Sequence, residues 1–299
     1  MSEPRSVQCI VALVTPFLEN GAIDWVSLTH LVDWHLAVGT HAIVVTAVTG
    51  EASSLTQSEY AAIISRVCYQ VDGRIPVWAG VGSPATAQVI ENTRLAKSLG
   101  ADAALVITPY HVKPTQRGLI AHYLAIADAV SLPLVVYNAP SRSACNLSAE
   151  TVATLAAHPN IVGLKEASAD AARVPWLRAR VKPQFKIYTG DDAETLSFVR
   201  FGGDGVISVT ANVLPEQMVR FCTEWSEGNT QEAEHIFEQL MPWHEAVFVE
   251  TNPIPTKWAL YRMGRIHTPN LRLPLTVLEA PGCAVMNRLL STEESTQCV

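Results

Sequence analysis

No stretch of this chain approaches the roughly 20 consecutive apolar residues that a membrane-spanning helix requires, so no membrane role is expected. Paired thiols are missing too. Cys9, Cys68, Cys145, Cys222, Cys283 and Cys298 are scattered with no Cys-x-x-Cys spacing, which predicts free thiols in a reducing, cytoplasmic setting. Met1-Ser2-Glu3-Pro4-Arg5 carries no apolar signal core. The nine histidines are dispersed, and His30 and His35 stand five apart rather than at ligand spacing, so no metal site is expected. Positive charge is short: 21 Lys and Arg against 28 Asp and Glu leave a net charge of −7, which argues against nucleic acid or an anionic membrane as partner.

What the chain does have is apolar content, 48% over 299 residues, enough for a large buried core and incompatible with general disorder. Much of it falls in eight short β-branched runs: Val11–Phe17, Ala42–Val48, Ile75–Val81, Ala103–Pro109, Leu132–Asn138, Ile161–Ala167, Phe185–Asp191 and Gly205–Ala211. Continuous apolar runs of this length indicate parallel strands buried on both faces. Helical patterns lie between them. Trp25–Val38 follows Asp24 as N-cap, Thr86–Leu99 stops at Gly100, and Ser148–Ala157 has Glu150 in its first turn. Eight strand–helix units predict an α/β fold, a (β/α)8 TIM barrel, with a doubly wound sheet as the alternative. Residues 1–225 are expected to form the barrel. Residues 226–299 are expected to form a C-terminal helical extension packed on it, including Thr230–Val249 and Pro255–Gly264, with Pro215–Glu227 completing the eighth unit.

In such a barrel the active site gathers at the C-terminal strand ends. Lys165 falls there on the sixth strand, alone in Asn160-Ile161-Val162-Gly163-Leu164-Lys165-Glu166-Ala167, and Tyr137 falls there on the fifth. A desolvated lysine loses its proton and becomes a nucleophile toward carbonyl carbon, and Schiff-base chemistry needs a proton carrier such as Tyr137 beside it. The alternatives are a lysine that snorkels to water and a tyrosine tied into the core. Thr49 and Glu51 follow strand two, His111 follows strand four, and Asp191 and Asp192 follow strand seven. Arg142 could receive a carboxylate through its planar fork, or simply sit solvated on a loop. Gly80-Val81-Gly82-Ser83-Pro84-Ala85 mimics a dinucleotide fingerprint, but Asp102 precedes a strand instead of ending one and Pro84 disturbs the helix entry, so nucleotide binding is not expected. Gly202-Gly203-Asp204-Gly205 reads as a turn into strand eight, and Cys145 as a small buried thiol.

These residues closely resemble the dihydrodipicolinate synthase (4-hydroxy-tetrahydrodipicolinate synthase) family, among the pyruvate-dependent class I aldolases that include N-acetylneuraminate lyase. The most specific stretches are Tyr137-Asn138-Ala139-Pro140-Ser141-Arg142, Gly163-Leu164-Lys165-Glu166-Ala167, Thr189-Gly190-Asp191-Asp192 and Asn252-Pro253-Ile254-Pro255-Thr256-Lys257. The resemblance implies a cytoplasmic homotetramer, a dimer of dimers, that needs no cofactor. In it Lys165 forms the pyruvate Schiff base, Tyr137 relays protons and Thr49 holds the pyruvate carboxylate. Arg142 binds the carboxylate side of aspartate semialdehyde, Gly190 lines the pocket, and Ile207 places a backbone carbonyl beside the nucleophilic centre.

Three departures from the family pattern stand out. Val48 occupies a position that is usually Thr, and His111 one that is usually Tyr, so two of three relay hydroxyls are absent. Either His111 carries protons by another route, or the chain has moved to another aldehyde or become a pyruvate-binding homologue with weak turnover. The positions matching the family's lysine feedback pocket are Gln57, Tyr60, Pro84 and Gln88, with Tyr110 kept, and the loss of a carboxylate at Gln88 predicts weak or absent lysine inhibition.

Overall fold

The computed structural model describes residues 6–297; Cys298 lies outside them. Eight parallel strands close into one barrel in sequence order: β1 Gln8–Ala12, β2 Ala42–Val45, β3 Val77–Gly80, β4 Ala103–Ile107, β5 Leu134–Asn138, β6 Ile161–Glu166, β7 Lys186–Thr189 and β8 Gly205–Ser208. Closure by pairing of β1 with β8 excludes the doubly wound alternative. Two apolar zones account for the continuous strand patterns. Ile10, Val44, Leu105, Val135, Tyr137, Tyr188 and Ile207 fill the barrel interior, while Val11, Ile43, Val106, Val136, Leu164 and Val206 face the surrounding helices.

The helices begin where their caps dictate. Asp24 accepts a hydrogen bond from Ser27 N at 3.0 Å to open Trp25–Ala37, and Ser148 accepts one from Thr151 N at 3.1 Å to open Ala149–Leu155. Thr86–Ser98 ends just before Gly100, which adopts φ +96. Past the barrel, helices Thr230–Ala246, Ile254–Arg262 and Ala280–Gln297 follow Pro215–Glu227.

Four of the eight strands, β2, β4, β7 and β8, stop two or three residues before their apolar runs do. The run at Gly205–Ala211 leaves the ladder after Ser208 and enters a single helical turn at Thr210–Asn212. Val209 and Ala211 nevertheless stay buried, so hydrophobicity continues past the strand end and cannot mark it. The glycine pair at 80 and 82 serves packing. A Cβ at Gly80 would come within 2.5 Å of Thr46 O, and one at Gly82 within 2.5 Å of Ile107 Cγ2.

Candidate active site

Register places the two leading residues side by side: Tyr137 on β5 pairs with Lys165 on β6, and Lys165 in turn pairs with Tyr188 on β7. Adjacent parallel partners point the same way, here into the upper barrel. Lys165 is 5% exposed, and its Nζ lies 4.6 Å from the centre of the Tyr137 ring. Among the described residues it forms no ion pair. Burial lowers its pKa from 10.5 to about 8; the Asp192 carboxylate opposes that shift, and the Arg142 guanidinium adds to it. At pH 7 about a tenth of such an amine is neutral, against far less than a hundredth for an ordinary lysine. The snorkelling alternative is therefore excluded by the burial itself.

Backbone geometry makes room for this side chain. A Cβ at position 190 would sit 2.6 Å from Lys165 Cε and 3.0 Å from Ala167 Cβ, so Gly190 keeps the space that the lysine stem fills. Next to it, Asp192 is fully buried. Its carboxylate accepts hydrogen bonds from Val209 N at 2.8 Å, Thr210 N at 3.2 Å and the Ser208 hydroxyl, pinning the end of β8 beside the lysine. Burial raises the Tyr137 pKa, while the facing Arg142 lowers it, so the phenol stays protonated at neutral pH and can donate.

Lys165, Tyr137, Thr49, Arg142, Gly190 and Asp191 line one cavity of about 710 Å³. Ala12 and Val209, with Phe248, Glu250 and Asn252 from the C-terminal segment, also line it. Ile207 lies in the barrel wall below, buried in the interior cluster. Arg142 is exposed on the short helix Pro140–Ser143 at the cavity rim, solvated and yet directed at the site. His111 is not part of the cavity: it is exposed at φ +68, with its ring against Tyr110.

A second cavity of about 570 Å³ adjoins the first and shares Ala47, Val48, Tyr137, Arg142, Thr251 and Asn252 with it. Gln57, Tyr60, Gln88 and Tyr110 line its outer part. Val48 lines both cavities with an apolar side chain. Asp192, Asn252 and Lys257 are three residues to which sequence reading gave no role. Asp192 was visible as a strand-end carboxylate, and Asn252 and Lys257 lie in a family-like stretch whose destination only the fold reveals.

A buried, unpaired lysine at a strand end of a (β/α)8 barrel, with a protonated tyrosine against it and a guanidinium at the rim, defines an enzyme of the Schiff-base class I aldolase type. The chain belongs to the dihydrodipicolinate synthetase family, whose sequence model it matches over residues 5–292. It is 48% identical to the 4-hydroxy-tetrahydrodipicolinate synthase of Cellvibrio japonicus over 271 residues, covering 91% of this chain and 93% of that protein. The corresponding enzyme of Pseudomonas aeruginosa is also 48% identical, over 274 residues, covering 92% of this chain and 93% of the relative. Among solved structures, a chloride-inhibited dihydrodipicolinate synthase of Acinetobacter baumannii in complex with pyruvate superposes with a TM-score of 0.92. It is 44% identical, and the match covers 96% of this chain and 98% of that one.

Proposed function

We propose that this chain condenses pyruvate with aspartate semialdehyde to 4-hydroxy-tetrahydrodipicolinate, a step of lysine and diaminopimelate synthesis. The observation that carries this reading is the desolvated Lys165 amine in register with Tyr137. The neutral amine adds to the ketone carbon of pyruvate. Tyr137 protonates the carbinolamine hydroxyl, which leaves as water, and a protonated imine remains. That imine acts as the electron sink when the methyl group loses a proton, so the step calls for no further cofactor. The resulting enamine carbon attacks the aldehyde carbon, whose oxygen takes up a proton. Attack of the acceptor's own amine on the imine carbon then closes the ring and frees Lys165.

Thr49 holds the pyruvate carboxylate and Arg142 the carboxylate of the aldehyde, a guanidinium–carboxylate match suited to bidentate pairing. Gly190 lines the pocket, and the β8 residue Ile207 places a backbone carbonyl beside the nucleophilic centre. The barrel carries this chemistry, and Phe248, Glu250 and Asn252 from the C-terminal segment close the site from one side. The working form is a cytoplasmic homotetramer, in which His111 would act only from a neighbouring subunit, because within its own chain it stands outside the cavity. With Gln57, Tyr60 and Gln88 in place of a carboxylate-bearing pocket, feedback by lysine is weak or absent.

Steady-state assay with pyruvate and aspartate semialdehyde tests the reading. Lys165→Ala should lose at least about 10³-fold in turnover, since it removes the covalent nucleophile. Arg142→Ala should raise KM for the semialdehyde far more than for pyruvate. A full-rate Lys165→Ala variant would refute the assignment. An Arg142→Ala variant with unaltered acceptor preference would favour a different aldehyde, the reading that Val48 and His111 keep open.

A further inference from the structure

Buried contacts tie the loop after β2 to the C-terminal segment. Asn252 Nδ2 donates to Thr49 Oγ1 at 3.0 Å. Two residues further along the same loop, Glu51 Oε1 accepts from Lys257 Nζ at 2.6 Å, and Glu51 Oε2 accepts from Arg272 N at 3.1 Å. Lys257 is completely buried and also donates to Asn270 O at 2.7 Å. The loop they hold is strained. Thr46 and Glu51, neither of them glycine, adopt φ +52 and +53, a left-handed conformation that persists only where the surroundings impose it.

The direction of the Thr49 contact matters. A hydroxyl has one proton and two lone pairs. With a lone pair occupied by the Asn252 amide and no second bond to Oγ1 among the described residues, the hydroxyl proton is free to point into the cavity that Thr49 lines. Asn252 Oδ1 has no partner among the described residues. The end of the amide that is bonded is the one that sets the threonine.

From this we infer that Asn252 is a positioning residue for substrate recognition: it orients the Thr49 hydroxyl as a donor to the carboxylate of the bound keto acid. The Glu51–Lys257 pair anchors the loop on which that donor rides. The inference rests on the proposed role of Thr49 and extends it to a residue more than two hundred positions away that touches no reacting atom. It also gives the C-terminal segment a share in selecting a keto acid over a plain ketone.

The test is borohydride trapping at Lys165, scored as the ratio of half-saturating acetone to half-saturating pyruvate. Acetone forms the same imine but lacks the carboxylate. Asn252→Ala is expected to reduce this ratio by about tenfold, the worth of one hydrogen bond to a charged group, while leaving acetone trapping itself unchanged. Asn252→Asp is nearly isosteric and so is a control for folding. Its carboxylate would accept the Thr49 proton and turn it from the cavity, so its ratio should fall below that of the alanine variant. In a Thr49→Val background, Asn252→Ala should have no further effect. Equal losses for pyruvate and acetone would overturn the inference and leave Asn252 a structural residue, as would additivity with Thr49→Val or an Asp variant as selective as the unsubstituted protein. No trapping at all in the unsubstituted protein would instead defeat the Schiff-base reading, and this inference with it.

Discussion

Two lysines in this molecule are buried, Lys165 at the end of β6 and Lys257 in the helix Ile254–Arg262, and desolvation lowers the pKa of each to about 8. Their surroundings differ in one respect. Lys257 meets the Glu51 carboxylate at 2.6 Å, a backbone carbonyl at 2.7 Å and the face of Phe17 at 4.1 Å. Lys165 meets a tyrosine ring and open cavity. Burial alone therefore does not make a nucleophile. A buried amine with a carboxylate and two further partners has its nitrogen occupied and serves as a strut, whereas one left unpaired keeps its nitrogen free for a substrate.

The sharpest way to break this comparison is to delete each lysine in turn. Lys257→Met leaves Glu51 buried and uncompensated, and should cost about 3–5 kcal/mol of stability. The double variant Lys257→Met, Glu51→Gln should recover a good part of that loss. Lys165→Ala should melt within a few degrees of the unsubstituted protein, because it removes an unpaired charge rather than one half of a pair. Denaturant titration of the three variants decides the matter, and similar stability losses for Lys165→Ala and Lys257→Met would show that the two lysines do the same job.

A smaller effect is expected at Gly190. An alanine there must displace the Lys165 stem, and overpacking of this kind costs about 1–3 kcal/mol. Pyruvate trapping should slow more than stability falls, since the amine is moved from its place above Tyr137. Trapping at the normal rate would mean that the lysine position is not set by this contact. A subtler sharpening comes from pH. Below a pKa of about 8 the neutral fraction of Lys165 rises tenfold per pH unit, so the rate of adduct formation should climb with unit slope from pH 6 and level off near pH 8. A rate still rising with unit slope at pH 9.5 would show an ordinary, solvated amine.

The sequence displays one signal at both lysines: a single Lys within an apolar run, Leu164-Lys165-Glu166-Ala167 in one case and Thr256-Lys257-Trp258-Ala259 in the other. Only the first run could be placed on a strand end, and that placement came from counting eight regularly spaced runs. The barrel was legible because parallel strands repeat their pattern. So was the meeting of Lys165 with Tyr137, because neighbouring strands in a parallel barrel bring neighbouring ends together. The clasp was not legible: Glu51 and Lys257 are 206 positions apart, Thr49 and Asn252 203, and no periodicity links them. The final helix, Ala280–Gln297, falls inside the helical extension expected over 226–299 but is not delimited by the sequence pattern; Pro281 sits in its first turn, where Pro is tolerated.

The difference between the two lysines is tested most directly by reducing the protein with borohydride in the presence of pyruvate, followed by intact-mass analysis and peptide mapping. The account predicts one reduced pyruvate adduct per chain, on Lys165, with Lys257 unmodified. An adduct on Lys257, or none on folded protein at high pyruvate, would contradict it.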